Sequence, residues 1–368
     1  MKADRVLQVV PNMQQGGLEN FIMNIYRNID RDKIQFDFLV HYTSKKNFDD
    51  EIEQLGGKIY RFSLREDNNI IKYILQLNKF FKQHKEYKIV HCHMSSVGFL
   101  VFLIAKMNGV KVRIAHSHNS DTEKNLKGFI KRILIKPYKY VSKINWACSE
   151  KAGIFLFKNK KFEVIPNAID TKKFEFNTTT REAIRKELGI QNDFVVGNVG
   201  RFCQQKNHSF LIDVFNELLK IRPNSKLLLI GTGELEEEIK QKVKEMKIED
   251  KVLFLGIRKN VNEFYQAMDC FVLTSFFEGL PVVGVEAQAS GLKCVFSDRI
   301  TNEIKLIDEV FLVDIDKTAH KWATIISKEY VRKNTREQII DKKFDIVELA
   351  KNIEKMYKQL IEGEEEIE

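Results

Sequence analysis

The chain has 368 residues, 43% hydrophobic and 30% charged, enough for two domains with buried cores. The apolar runs Val6–Val10 and Val97–Ala105 are too short for a secretory signal core or a bilayer span. Five scattered cysteines (92, 148, 203, 270 and 294), an odd number with no CxxC pair, fit reduced thiols in a cytoplasmic protein.

The net charge of +9 is unevenly spread. Residues 1–166 carry 29 Lys/Arg against 16 Asp/Glu, whereas the other 202 carry 31 against 35. A basic N-terminal half calls for an anionic partner. No nucleic-acid-binding motif accompanies the charge, so an anionic membrane surface fits better than nucleic acid.

Taken in chain order, short apolar runs alternate with amphipathic stretches, the pattern of repeated βα units and parallel sheets, so the fold class is α/β. Strands are predicted at 5–10, 36–41, 58–62, 89–92 and 112–115, with helices at 18–27, 49–55 and 70–84 between them. Gln14-Gln15-Gly16-Gly17-Leu18-Glu19 follows the first strand and opens a helix. Glycines there let amides approach a phosphate or a sugar, although a simple tight turn explains them nearly as well.

His91-Cys92-His93 and His116-Ser117-His118-Asn119 each follow a predicted parallel strand, at whose carboxyl end ligands bind. Zinc is the first thought for such histidines, but no matched Cys or His set completes four ligands along the chain, so no metal is expected. Lys124–Lys143 then holds seven Lys/Arg and no acid, interleaved with apolar residues. It is either a crossover helix packed on the sheet or a segment lying on an anionic leaflet.

Turn residues at Ile165-Pro166-Asn167-Ala168-Ile169-Asp170 separate this series from a second. Its strands are predicted at 195–199, 227–230, 252–255, 270–274 and 294–297, and its helices at 209–221, 235–246, 261–267 and 282–289. The domains are therefore 1–168 and 169–345. A final helix, 346–361, crosses back onto the first domain, and an acidic tail ends the chain. No tandem repeat is visible.

Gly197-Asn198-Val199-Gly200-Arg201 ends the first strand of the second series, and Lys206 lies five residues beyond. A guanidinium fork and an ammonium together would neutralise a diphosphate. Turns follow at Gly231-Thr232-Gly233-Glu234 and Leu255-Gly256-Ile257-Arg258. The most informative string is Phe277-Glu278-Gly279-Leu280-Pro281, with Glu286 eight residues after Glu278. Pro281 suits a first helical turn, Gly279 allows close backbone approach, and the helix N-terminus attracts phosphate. Two carboxylates there can accept hydrogen bonds from sugar hydroxyls. Asp30-Arg31-Asp32 and Asp314-Ile315-Asp316 lie beside no phosphate-binding element, so neither is assigned to a metal.

The string Phe-x-Glu-Gly-Leu-Pro-x4-Glu-Ala ending at Ala287, with Arg201 and Lys206, resembles the E-x7-E signature and Gly-Arg…Lys element of family 4 retaining glycosyltransferases. Arg113–Asn119 and Phe296–Glu303 further resemble the bacterial capsule and exopolysaccharide members. The resemblance runs from Gly16 to about Asp314. It implies the GT-B fold: two Rossmann-like domains, the first binding acceptor and the second the nucleotide sugar, facing an interdomain cleft.

It also implies transfer of a hexose or N-acetylhexosamine, with retention and without a metal, from a nucleoside diphosphate sugar, uridine being the first choice. The acceptor would be a saccharide or lipid-linked saccharide in cell-surface polysaccharide synthesis, on the cytoplasmic side or the inner membrane face. By the same resemblance Arg201 and Lys206 hold the pyrophosphate and Glu278 the donor-sugar hydroxyls. Glu286 holds the ribose, and Arg258, Gly279 and Leu280 lend backbone near base and phosphate. Gly16 and Gly17 face the donor, and His116 or His118 contacts the transferred sugar. A silent glycosyltransferase-like subunit and a GT-B-fold nucleotide-sugar epimerase are the alternatives; the intact Arg201, Lys206, Glu278 and Glu286 favour transfer.

Overall fold

The computed structural model describes residues 3–14, 16–67, 69–95, 97–118, 135 and 138–363. The chain divides into two compact units, Met1–Asn167 with Ile346–Glu368, and Ala168–Asp345.

The first unit is built on a seven-stranded parallel sheet. Its strands are β1 (Asp4–Val9), β2 (Ile34–Val40), β3 (Ile59–Arg61), β4 (Ile89–Cys92), β5 (Val112–Ser117), β6 (Ile144–Ala147) and β7 (Glu163–Val164). Their spatial order is β3-β2-β1-β4-β5-β6-β7. The second unit carries β8 (Phe194–Val199), β9 (Ser225–Ile230), β10 (Val252–Phe254), β11 (Cys270–Leu273), β12 (Lys293–Ser297) and β13 (Val310–Val313), ordered β10-β9-β8-β11-β12-β13. Every pairing is parallel. Both sheets reverse direction once, between β1 and β4 and between β8 and β11. Ligands of doubly wound sheets bind at the carboxyl ends beside that reversal.

Strand interiors are continuously apolar because helices cover both faces: Val195, Leu227–Leu229, Phe271–Leu273 and Val295 are fully buried. Helix boundaries follow local chemistry. Asn69 caps the helix Ile70–Gln83 by accepting from the Lys72 amide, and Tyr73, Leu77, Phe80 and Phe81 form its buried face. Gly189, at φ 69°, closes Thr178–Leu188 in the left-handed conformation that spares glycine a Cβ clash.

Three strands and several helices escaped sequence reasoning. β6, β7 and β13 are short, and Gly98–Met107 is apolar on nearly every face, so it carries no helical period. The basic segment 124–143 lies outside the described residues except for Ile135 and 138–143.

Candidate functional site

In the second unit, glycines let three strand ends crowd together. Gly231, at φ 136°, is close enough to the Gly200 carbonyl that a Cβ would stand 2.1 Å from its oxygen. Its amide donates to the Gly256 carbonyl at 2.9 Å, tying the end of β9 to the chain after β10. A Cβ on Gly233 would meet the Phe202 backbone at 2.4 Å. These glycines serve close backbone packing, which shapes the loop carrying Arg201 and Lys206.

Lys206 folds back over Gly200, its side-chain carbons 3.5 Å from where a Cβ would stand. Its ammonium is paired with the Glu278 carboxylate, and both side chains are largely buried, 17% and 11% exposed. Ser275 Oγ donates to the same carboxylate at 3.0 Å and Gln205 Nε2 donates to it at 3.3 Å. Gln205 Nε2 also donates to the Phe277 carbonyl at 2.9 Å, and the Gln205 backbone carbonyl accepts from the Phe276 amide at 2.9 Å. The loops after β8 and β11 are thus stitched together at the sheet's reversal. Gly279 then leaves open space around its Cα, and Pro281 starts the helix Val282–Ala289. The first amides of that helix have no partner one turn earlier.

Arg201 stands apart from this knot. It is 72% exposed and pairs with Glu234, Nη2 to Oε2 at 3.0 Å. Glu286 lies further along the helix, where it accepts from Tyr265 Oη at 3.0 Å. Burial lifts its carboxyl to about 7, against the downward pull of the tyrosine hydrogen bond and Lys173. The two glutamates therefore keep separate partners. Arg258 is exposed, its guanidinium 5.4 Å from the Phe264 ring centroid.

A cavity of about 500 Å³ opens at the other, amino-terminal ends of β8, β11 and β12 and is rich in arginine. Its cations are already used: Arg332 donates to the Ser290, Gln266 and Tyr265 carbonyls, and Lys293 to those of Ile325 and Lys328. They cap chain ends there.

In the first unit the parallel pairing of β4 with β5 sets His91, His93, His116 and His118 on one face, a set that spacing along the chain did not reveal. Among the described residues, ring nitrogens of His91, His93 and His116 lie within 4.8 Å of one another. Two pairs among the four rings are hydrogen-bonded: His91 Nε2 with His116 Nδ1 at 3.1 Å and His93 Nδ1 with His118 Nε2 at 2.9 Å. The rings of His91 and His116 are coplanar within 3°, so their bonding orbitals meet head-on instead of converging on a third point. The cluster fits a hydrogen-bonded chain better than a metal cage. Burial drives all four toward the neutral form, His118 down to about 3. Gly16 caps the helix Gly17–Asn28, whose Phe21 sits edge-on to His116 and His118 at 5.4 and 5.5 Å. The glycine loop and the two histidines are thereby neighbours.

The family model described as "Glycosyltransferase Family 4" matches residues 15–173, and that described as "Glycosyl transferases group 1" matches 180–345. "Putative glycosyltransferase EpsF" of Bacillus subtilis is 33% identical over 335 residues, covering 88% of this chain and 87% of EpsF. The chain is a family 4 glycosyltransferase. A second relative of this glycosyltransferase is the Escherichia coli UDP-Gal:alpha-D-GlcNAc-diphosphoundecaprenol alpha-1,3-galactosyltransferase, 28% identical over 79% of the chain and 80% of the relative. Among solved structures, Anabaena HepE in complex with UDP superposes with a TM-score of 0.78 at 20% identity, covering 98% of this chain and all of HepE. That likeness bears on the fold, which is GT-B.

Sequence reasoning missed Ser275, Gln205 and Tyr265, which hold the glutamates, and Gln8 and Tyr357 beside the histidines. Their types are ordinary, and only the tertiary arrangement sets them beside the motif residues.

Proposed function

We propose that this glycosyltransferase moves a hexose or N-acetylhexosamine from a UDP-sugar to a saccharide or diphospholipid-linked saccharide in cell-surface polysaccharide synthesis. Transfer retains configuration and uses no metal ion. The observation that carries this reading is the buried Lys206–Glu278 pair at the sheet reversal of the second unit. UDP is favoured by the donor in the name of the E. coli relative and by the ligand of HepE.

Each ion pair is a resting partner that the donor exchanges. Entry of a diphosphate draws the Lys206 ammonium off Glu278 and frees that carboxylate for the sugar hydroxyls. Arg201 leaves Glu234 at little cost, since exposed ion pairs contribute about 0.2–1 kcal/mol. Both cations then stabilise charge that grows as the diphosphate departs, so their effect is larger in the transition state than in the ground state. The leaving phosphate takes the acceptor's proton from the same side of the sugar. His116 or His118 contacts the transferred sugar, and the first unit takes the acceptor.

We place this chemistry on an anionic membrane surface. The neighbouring helices Ile70–Gln83 and Gly98–Met107 expose Ile71, Leu75, Leu103 and Met107, with Lys72, Lys79, Lys82 and Lys106 among them. Apolar side chains ringed by lysines suit an anionic leaflet. No helix among the described residues is long and apolar enough to cross a membrane.

Nucleotide release from UDP-, GDP- and dTDP-sugars, with and without a diphospholipid-linked saccharide and with excess EDTA, tests the reading. Acceptor-dependent UDP release unchanged by EDTA, with an axial-to-axial anomeric product by NMR, is expected. Lys206→Ala and Arg201→Ala should each lower kcat about a hundredfold. Loss of activity in EDTA, or sugar epimerisation without acceptor, would refute it.

A further inference from the structure

We infer that Gln8 and Tyr357 are positioning residues that fix the tautomers of the histidine cluster, so that His116 presents a proton and His118 a lone pair. Tyr357, on the helix Ile346–Glu362, is fully buried against β1 and β4 of the same unit. Gln8, on β1, lies in register with His91.

Gln8 is where two branches divide, because a carboxamide donates at one end and accepts at the other. In one branch Gln8 Nε2 donates to Tyr357 Oη at 3.3 Å. The tyrosine's single proton then goes to His91 Nδ1, 2.6 Å away. A neutral imidazole carries one N–H. That proton of His91 therefore sits on Nε2 and is donated to His116 Nδ1 at 3.1 Å. His116 is left with its proton on Nε2, a buried atom with no partner among the described residues. An unspent buried donor is destabilising until something accepts from it.

In the other branch Gln8 Oε1 accepts from His93 Nε2 at 2.9 Å. His93 Nδ1 is then the acceptor for His118 Nε2 at 2.9 Å, which leaves His118 with a lone pair on Nδ1. The scheme needs all four rings neutral, the state favoured by the burial of His91, His93 and His116 and the partial burial of His118. It assigns every proton in the cluster from one amide.

The tautomers follow from the hydrogen bonds alone. Their catalytic use rests on the proposed contact between these histidines and the transferred sugar, where a fixed donor and acceptor would tell one hydroxyl orientation from another.

Long-range ¹H–¹⁵N correlation of the ¹⁵N-histidine-labelled full chain reads each tautomer directly. At pH 8 all four rings should be neutral and protonated on Nε2. Gln8→Glu turns the amide into a double acceptor. It should move the protons of His91 and His116 to Nδ1 while His93 and His118 keep theirs on Nε2, and it should lower kcat roughly tenfold at unchanged KM. A cationic or Nδ1-protonated ring in the parent chain overturns the inference. So does stoichiometric zinc on the cluster, or a Gln8→Glu spectrum identical to the parent. Inverted tautomers with unchanged turnover would sustain the inference and count against the histidines' place beside the sugar.

Discussion

Glu286 shows how burial of one side chain ties stability to pH. Its carboxyl titrates near 7 because burial penalises the charge more than Tyr265 relieves it. Raised above its unfolded value of 4.5, it gives the folded state more bound protons than the unfolded chain between about pH 4.5 and 7. Its contribution to stability is therefore full at the acid end and lost as pH rises through 7. Above pH 7.5, Glu286→Gln should melt higher than the parent chain, and the difference should vanish toward pH 4.5. If the carboxylate holds the ribose as proposed, UDP-glucose affinity should move the other way, strengthening several-fold from pH 6 to 8. Isothermal titration across that range checks this, since a diphosphate diester does not itself titrate there. A flat profile would remove Glu286 from the ribose.

At the scale of elements, the helices Ile70–Gln83 and Gly98–Met107 bury one face on the sheet and leave apolar side chains outside. Ile71 and Met107 are 74% and 75% exposed. Isolated exposed apolar residues are common, and a group set among lysines on two helices in contact is the face proposed here to meet an anionic leaflet. Vesicles of mixed phosphatidylglycerol and phosphatidylcholine should carry the parent chain upward in flotation at physiological salt, and neutral vesicles should not. Ile71→Asp with Met107→Asp should abolish flotation without shifting the melting temperature, because neither side chain supports the core. Equal flotation of variant and parent, or a dimer lost on substitution, would show that lipid is not what covers this face. The motif-bearing loops follow another logic. They sit at strand ends because a parallel sheet leaves its carboxyl edge free, and Gly231 and Gly233 let backbones there approach where a Cβ could not fit.

For the whole molecule, the last helix completes the first unit. Ile353, Tyr357 and Leu360 are at most 5% exposed, and Tyr357 meets Phe36, His91 and Trp146. Burying three such side chains stabilises by about 5–9 kcal/mol, comparable to the net stability of a domain. Deleting residues 346–368 should unfold the first unit and leave the second cooperative in calorimetry. Two intact transitions in the truncated chain would show that the helix is dispensable.

Much of this was legible in the sequence. The helices 261–267 and 282–289 and the strand 89–92 match to the residue, because apolar periodicity, Pro281 and flanking turn residues act locally. Lys206 and Glu278 were proposed as site residues from the sequence because their motifs are contiguous. Which partner each would take was not, since that depends on loops 72 residues apart meeting at one sheet edge. Arg201 went to Glu234 and Glu286 to Tyr265, partners that no spacing rule gives. The histidines mark the same limit. Two HxH strings establish four imidazoles on strand ends, whereas the parallel register of β4 with β5, and a tyrosine 266 residues away from His91, decide which nitrogen holds each proton. Composition and local pattern determined the fold and the residue types, because strand and helix formation are short-range. Pairing partners, burial and proton positions were decided only in the tertiary structure, because each depends on atoms that chain topology brings together from far apart.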